Sequence, residues 1–275
     1  MEPLTIAIIV AVFTLIVLFS GIPIAFGLSF VSIALLVAFE GVQMLDVFAE
    51  TFYAGLNSFV LLSIPMFILM GMAVANSPAG KDLYTGLDRW LWRVPGGLVI
   101  SNIGACSIFA ALSGSSPATC AAIGTMGIPE MRKRGYSDEI ATGTIAAGGT
   151  LGVLIPPSIV LIVYGLATGT SIGRLFLSGI IPGFMLASLF ALWALFHSYF
   201  IDKTSSKALR NKKPPTLKQK LEVLPRIFPF LAIIIGVLYV LYGGVATPSE
   251  ASGVGAFLVF VMIAVVYKIY QPKKI

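Results

Sequence analysis

Ser113-Gly114-Ser115-Ser116-Pro117-Ala118-Thr119 interrupts residues 96–128, a stretch of 33 residues without one charged side chain. A membrane-crossing helix needs about 20 apolar residues. The stretch is longer than that, but its middle is polar and helix-breaking, so it reads as two arms joined at a tip. Arms of about 16 residues span roughly 24 Å at 1.5 Å per residue, which carries the tip well into a bilayer. A second uncharged stretch of 33 residues, 140–172, is broken by Gly148-Gly149-Thr150-Leu151-Gly152-Val153-Leu154-Ile155-Pro156-Pro157-Ser158. Unpaired backbone costs several kcal/mol in hydrocarbon and survives only where protein or a water-filled cavity surrounds it. Two such breaks at similar depth can meet.

The composition agrees with a membrane setting. Of 275 residues, 57% are apolar and only 11% are charged, against about 25% charged in soluble domains. Disorder needs the opposite composition. Cys106 and Cys120 both lie in apolar stretches, so a disulfide scaffold is excluded. Working outward from the two breaks, further spans read over 3–20, 24–39, 59–75, 182–201, 225–242 and 250–267. The start, Met1-Glu2-Pro3, lacks the basic residues of a cleavable signal, so the first span is expected to stay. Residues 40–57 and 76–95 read as interfacial helices, the second with Leu83, Leu87, Trp90 and Leu91 at helical spacing. Residues 175–181 read as a short interfacial piece.

Charge gives the sidedness. If 96–128 is a re-entrant hairpin and 140–172 crosses, then 17 of the 18 basic residues fall on one side, in segments 81–93, 132–134, 203–226 and 268–274. Arg174 alone lies opposite, with Glu2, Glu40, Asp46, Glu50 and Glu250. The positive-inside rule makes the basic side cytoplasmic. A full crossing at 96–128 would split the basic residues between faces. The net charge of +6 therefore reflects orientation and gives no ground for nucleic-acid binding.

The breaks carry the chemistry. Ser116 suits an N-cap and Pro117 the first helical position. Pro157 does the same job for a second half-helix over 158–167. Carbonyls ending the preceding half-helices, around Leu112–Ser113 and Gly149–Thr150, are oxygen ligands for a small cation, and the helix starts favour an anionic group. Secondary transporters with discontinuous helices use this arrangement. Plainer readings hold elsewhere. A Ser-Gly-Ser run can simply allow close helix packing, and Gly148-x-x-x-Gly152 reads first as packing. His197 reads as an interfacial residue, Glu250 as a helix cap, and Leu217, Leu221 and Leu224 as a surface-lying helix. With Glu250 and Arg226 at span ends, no acidic or basic residue falls inside a span, which favours Na⁺ over H⁺ coupling. Metal spacing, a nucleotide loop and a nucleophile–base pair are missing from the sequence, so an enzyme or an ATP-driven pump is not expected.

The series Pro95-Gly96-Gly97-Leu98, the two break motifs, Ile128-Pro129-Glu130-Met131 and Gly135-Tyr136 resembles the large membrane subunit (DctM type) of tripartite ATP-independent periplasmic, or TRAP, transporters. Gly21-Ile22-Pro23-Ile24-Ala25 and Thr247-Pro248-Ser249-Glu250-Ala251 resemble it too. The resemblance implies an all-α polytopic membrane protein, an elevator-type inverted-repeat transporter with re-entrant hairpin and broken helix. It implies Na⁺-coupled import of organic acids, with a small membrane subunit and a periplasmic substrate-binding protein as partners in a bacterial or archaeal inner membrane. The implied organisation is scaffold helices over 1–75, a cytoplasmic interfacial helix over 76–95, the hairpin over 96–130 and the broken helix over 138–173. A closing helix over 174–201, a basic loop over 202–224 and the first two helices of a second repeat over 225–275 follow. The second repeat is expected to be incomplete, with the N-terminus outside and residue 275 in the cytoplasm. By matching motifs, Ser115, Ser116, Pro117, Thr119, Thr150 and Pro157 are candidate substrate contacts. Leu112, Ser113, Gly114, Ser115, Gly149, Thr150 and Gly152 are candidate Na⁺ ligands. An ion channel using the hairpin as a filter is the alternative.

Overall fold

The structure, a computed structural model, describes residues 3–200 and 215–269. All regular structure among them is helical. The chain divides into two compact units, residues 1–58 and 59–275.

The first unit holds α1 (Pro3–Phe19), α2 (Ile24–Glu40) and α3 (Met44–Leu56). The Gly21-Ile22-Pro23 punctuation ends α1 as expected, with Gly21 at φ 80. The helices α1 and α2 pack as a hairpin and α3 follows against α2. Gly27 lets α2 close on α1: a Cβ there would stand 3.2 Å from Val17 Cγ1. Little else in this unit is buried. Phe19 and Phe26 are 88% and 73% exposed, the surface expected of helices solvated by lipid.

The second unit opens with a 3₁₀ turn (Phe59–Leu62) leading into α4 (Ser63–Ala75), then α5 (Ala79–Trp90). Helices α6 (Gly97–Ser113) and α7 (Ser116–Lys133) form the expected antiparallel hairpin, joined by Gly114 and Ser115 alone. Helix α8 (Asp138–Leu154) packs on both arms. After the break come α9 (Ile159–Thr168), α10 (Ile172–Phe200), α11 (Leu217–Tyr242) and α12 (Pro248–Tyr267). The core is apolar and continuous, with Phe67, Phe109, Leu112, Ile123, Leu151 and Phe176 buried.

Two features differ from expectation. Helix α8 does not stop at Gly149–Thr150; it runs on to Leu154. Its glycines serve close approach, as Gly148-x-x-x-Gly152 suggested. A Cβ on Gly148 would stand 3.0 Å from Cys106 Sγ, and one on Gly149 would overlap Cys120 Sγ. The Pro156-Pro157 pair ends the helix, because neither residue has an N–H to donate. Second, residues 172–200 are one helix of 29 residues with Pro182 inside it, not an interfacial piece and a span. The buried face of α5 is Ala79, Gly80, Leu83, Tyr84 and Gly86, and Trp90 is half exposed. The expected cap at Thr247–Glu250 is present: Thr247 N donates to Glu250 Oε2 at 2.8 Å and Glu250 N to Thr247 Oγ1 at 3.4 Å. The expected surface helix is the first part of α11, which turns by 47° between Pro225 and Ile227. Most of the basic loop, 202–214, lies outside the described residues.

Residues 138–168, 172–200 and 248–267 are long and apolar enough to cross a membrane. The basic segments gather at one end of this unit. Lys81, Arg89, Lys133, Arg134 and Gln219 line a single cleft, Tyr267 Oη donates to Asp82 Oδ2 at 3.2 Å, and Gly96 packs under Ser198 of α10. The start of α6 and the end of α7 therefore lie on the same side, as a re-entrant hairpin requires. Arg134 ties that end together, donating to both oxygens of Asp88 at 2.7 Å and to Glu130 Oε1 at 2.8 Å.

Candidate functional site

The hairpin tip is built by a change of backbone sign at Gly114. Helix α6 ends at Ser113, Gly114 takes a left-handed conformation (φ 58) and Ser115 is extended (φ −136, ψ 122). Only glycine adopts that φ without strain. The cap of α7 is Ser115 rather than Ser116: the Ser115 hydroxyl accepts from Ala118 N at 3.5 Å, and Pro117 sits one residue into the helix. Inside the tip, Thr119 Oγ1 donates to Ser115 O at 2.8 Å and lies 3.0 Å from Ser113 Oγ. Ser113 and Thr119 are buried.

This tip docks on the break between α8 and α9. Ile159 N, at the start of α9, donates to Gly114 O at 3.0 Å. A Cβ on Gly114 would stand 2.7 Å from Pro157 O. From α8, a Cβ on Gly152 would stand 2.7 Å from Ser115 C and Ser116 N. From α4, one on Gly71 would stand 2.7 Å from Ser113 Cα. Helix α10 backs the break, with Gly179 facing Leu154 O and Gly183 facing Ile155. Four of these glycines, Gly71, Gly114, Gly152 and Gly179, thus bring backbone against backbone around one junction.

Of the sequence-expected residues, Ser113, Gly114, Ser115, Ser116, Thr119, Gly149, Gly152 and Pro157 meet here, with Leu112 buried one residue back on α6. Pro117 and Thr150 are exposed. The Thr150 hydroxyl is turned to its own helix, donating to Ala147 O at 2.6 Å. The carbonyls of Gly149 and Thr150 lie inside α8, where the amides of Val153 and Leu154 are in register to bond them. The backbone oxygens left without a helical partner thus fall at other positions. Ser113, Gly152 and Val153 each have a proline four residues on, at Pro117, Pro156 and Pro157, so none has a helical amide to accept from. Two hydroxyls add to them. Ser116 Oγ and Ser158 Oγ are buried and have no hydrogen-bond partner among the described residues. Ser158 stands at the N-cap of α9, where a serine normally accepts from a helix amide, and makes no such bond. Buried polar groups in native structures are nearly always satisfied.

The junction therefore offers neutral oxygens and two helix starts, those of α7 and α9, and no formal charge. Carbonyl and hydroxyl oxygens fit a small hard cation, and helix N-termini fit an anionic group. Sequence reasoning missed Ser158, Val153 and Gly71. The signal for Val153 was available, since Pro157 follows it at helical spacing; nothing local marks Gly71.

Comparison with known proteins gives one family. The family described as "Tripartite ATP-independent periplasmic transporter, DctM component" matches residues 9–275. The chain is 38% identical over 252 residues to the C4-dicarboxylate TRAP transporter large permease protein DctM of Vibrio cholerae, covering 92% of this chain and 54% of that one. It is 33% identical over 257 residues to the sialic acid TRAP transporter large permease protein SiaM of the same organism, covering 91% and 57%. It is 32% identical over 250 residues to the ectoine TRAP transporter large permease protein TeaC of Halomonas elongata, covering 90% and 57%. The chain spans about half the length of the curated relatives it matches.

Proposed function

We propose that this chain, which belongs to the DctM component family of tripartite ATP-independent periplasmic transporters, supplies one Na⁺- and substrate-binding half of a carrier that imports organic acids. The observation that carries the reading is the docking of the hairpin tip on the α8–α9 break, with Ser116 Oγ and Ser158 Oγ buried and unpartnered between them. Na⁺ binds to the proline-deprived carbonyls of Ser113, Gly152 and Val153 together with those hydroxyls. The starts of α7 and α9 then receive the carboxylate of the substrate, with Ser115, Ser116, Pro117, Thr119, Thr150 and Pro157 as its surroundings.

Coupling follows from shared elements. The turn at Gly114 and Ser115 joins Ser113, whose carbonyl faces the ion, to Ser116 and the start of the helix that meets the substrate. An ion that orders the loop lowers the entropic cost of substrate binding, and by linkage the substrate raises the affinity for the ion. The relatives named for dicarboxylate, sialic acid and ectoine transport support a carrier of small organic solutes. A small membrane subunit and a periplasmic binding protein deliver the substrate, the basic end of the 59–275 unit faces the cytoplasm, and the hairpin and broken helix move together as an elevator.

The test is uptake into proteoliposomes holding the complete permease, its small subunit and its binding protein. Uptake driven by an inward Na⁺ gradient and abolished when K⁺ replaces Na⁺ is expected. Uptake indifferent to the Na⁺ gradient would contradict the proposal, and single-channel currents without binding protein would favour a channel.

A further inference from the structure

Away from the hairpin tip, the basic end of the 59–275 unit carries a cleft of about 560 Å³ between α5, the α5–α6 loop, the end of α7 and the start of α11. Four cationic side chains line it, Lys81, Arg89, Lys133 and Arg134, against two carboxylates, Asp88 and Glu130. Arg134 is already matched by both carboxylates, and Arg89 Nη1 donates to Gln219 O at 2.7 Å. Among the described residues Lys81 and Lys133 form no ion pair. Tyr84 also lines the cleft; it is 5% exposed and its Oη has no hydrogen-bond partner among the described residues. The cleft thus has two unmatched positive charges and one unused hydroxyl.

The other side of the same loop is apolar. Pro95 borders a groove of about 480 Å³ whose remaining lining comes from the last turns of α10, chiefly Leu192, Leu195, Phe196 and Tyr199. Val94 and Gly96, the neighbours of Pro95, line the cationic cleft. The loop is pinned to α10 at Gly96, where a Cβ would stand 3.1 Å from Ala194 O and 2.8 Å from Ser198 Cβ. Cleft and groove therefore border the same loop, at consecutive residues. Trp92 lines the cleft, and aromatic side chains of this kind sit at headgroup level in membrane proteins.

We propose that the cleft and groove together bind one anionic phospholipid, its phosphate between Lys81 and Lys133 and an acyl chain along the end of α10. The pairing decides the occupant. A free anion has no use for an apolar groove beside its site, and an apolar protein segment leaves the two lysines unmatched. A zwitterionic lipid brings its own cation into a cleft that already has an excess of them. A phospholipid seated there touches α5, the base of the hairpin and α10 at once, so its binding stiffens the end of the unit from which the hairpin enters.

The experiment is native mass spectrometry of the purified full chain in detergent, titrated with phosphatidylglycerol, phosphatidylcholine or inorganic phosphate, with thermal melting in parallel. Phosphatidylglycerol is expected to be retained well above phosphatidylcholine. Each cation near an anionic headgroup contributes about fivefold, so K81Q/K133Q should lower phosphatidylglycerol retention by about tenfold to thirtyfold and leave the lipid-free melting temperature unchanged. F196N, in the groove, should lower retention without altering the preference for the anionic head. Equal retention of the two lipids overturns the proposal, as does retention unaffected by K81Q/K133Q. Inorganic phosphate bound as tightly as the lipid, with F196N silent, identifies a free-anion site and also overturns it. Loss of retained lipid when the small membrane subunit is added at equimolar level assigns the groove to a protein partner and has the same consequence.

Discussion

A methyl group is enough to test the packing at the hairpin tip. On Gly152 it would stand 2.7 Å from backbone atoms of Ser115 and Ser116, and backbone cannot swing aside as a flexible side chain can. Gly152→Ala should cost about 1–3 kcal/mol in stability, read as a lower melting temperature. Gly143, on the same helix, has nothing within 4 Å of its Cβ position, so Gly143→Ala should be neutral or raise stability slightly. Ser158 supplies the opposite contrast. Its hydroxyl is buried without a partner, so Ser158→Ala removes an unsatisfied group and should not lower the melting temperature of the ion-free chain. The same change should weaken the Na⁺ dependence of transport. A hydroxyl kept only for packing would leave that dependence intact. The identity of the cap was not legible at this scale: Ser115 and Ser116 are both good caps, and only the left-handed turn at Gly114 puts Ser115 in the capping position.

At the scale of elements, both broken stretches were legible, because a helix cannot pass Ser115-Ser116-Pro117 or Pro156-Pro157 without losing donors. The glycine-rich run places the end of α8 at Gly149–Thr150, about one turn early, although Gly148-x-x-x-Gly152 is itself a packing signal. Glycine is tolerated inside a helix when a neighbour fills the space its side chain leaves, and that neighbour, Cys106, Cys120 or Ser116, is remote in sequence. The span of α10 shows the reverse error: Pro182 suggested a boundary, yet the helix runs through it. The α5–α7 junction rests on Arg134, whose side chain is 17% exposed and bonded to Asp88 and Glu130. Burial pulls its pKa down, but the bonds and charges of Asp88 and then Glu130 together outweigh burial and leave the guanidinium above its ordinary value. Arg134→Gln should cost about 2–4 kcal/mol, between the surface and buried limits for ion pairs, measured by thermal unfolding. Burial, and next the nearby Asp88 carboxylate, push the Tyr84 phenol above its ordinary range. A raised folded-state pKa gives stability that is complete below the ordinary phenol value of about 10 and is lost as pH rises beyond it. Melting temperatures recorded across that window should fall more steeply for the wild type than for Tyr84→Phe.

At the scale of the molecule, apolar composition and the one-sided basic residues already required a polytopic protein with a hairpin whose ends share a face. The structure brings those ends together in one cationic cleft and sets the hairpin tip against the break in α8–α9. The meeting of tip and break was not readable in detail, because it depends on glycines from α4, α8 and α10 that lie far apart in the chain. The central claim is that this meeting point binds Na⁺. The most direct measurement is the melting temperature of the purified chain in NaCl against KCl at equal ionic strength. At tenfold above the dissociation constant, a single Na⁺ site adds about 1.4 kcal/mol of stability, or about 2–3 °C. The account predicts that rise in Na⁺ alone, and its loss in Ser116→Ala/Ser158→Ala; identical melting in the two salts would contradict it.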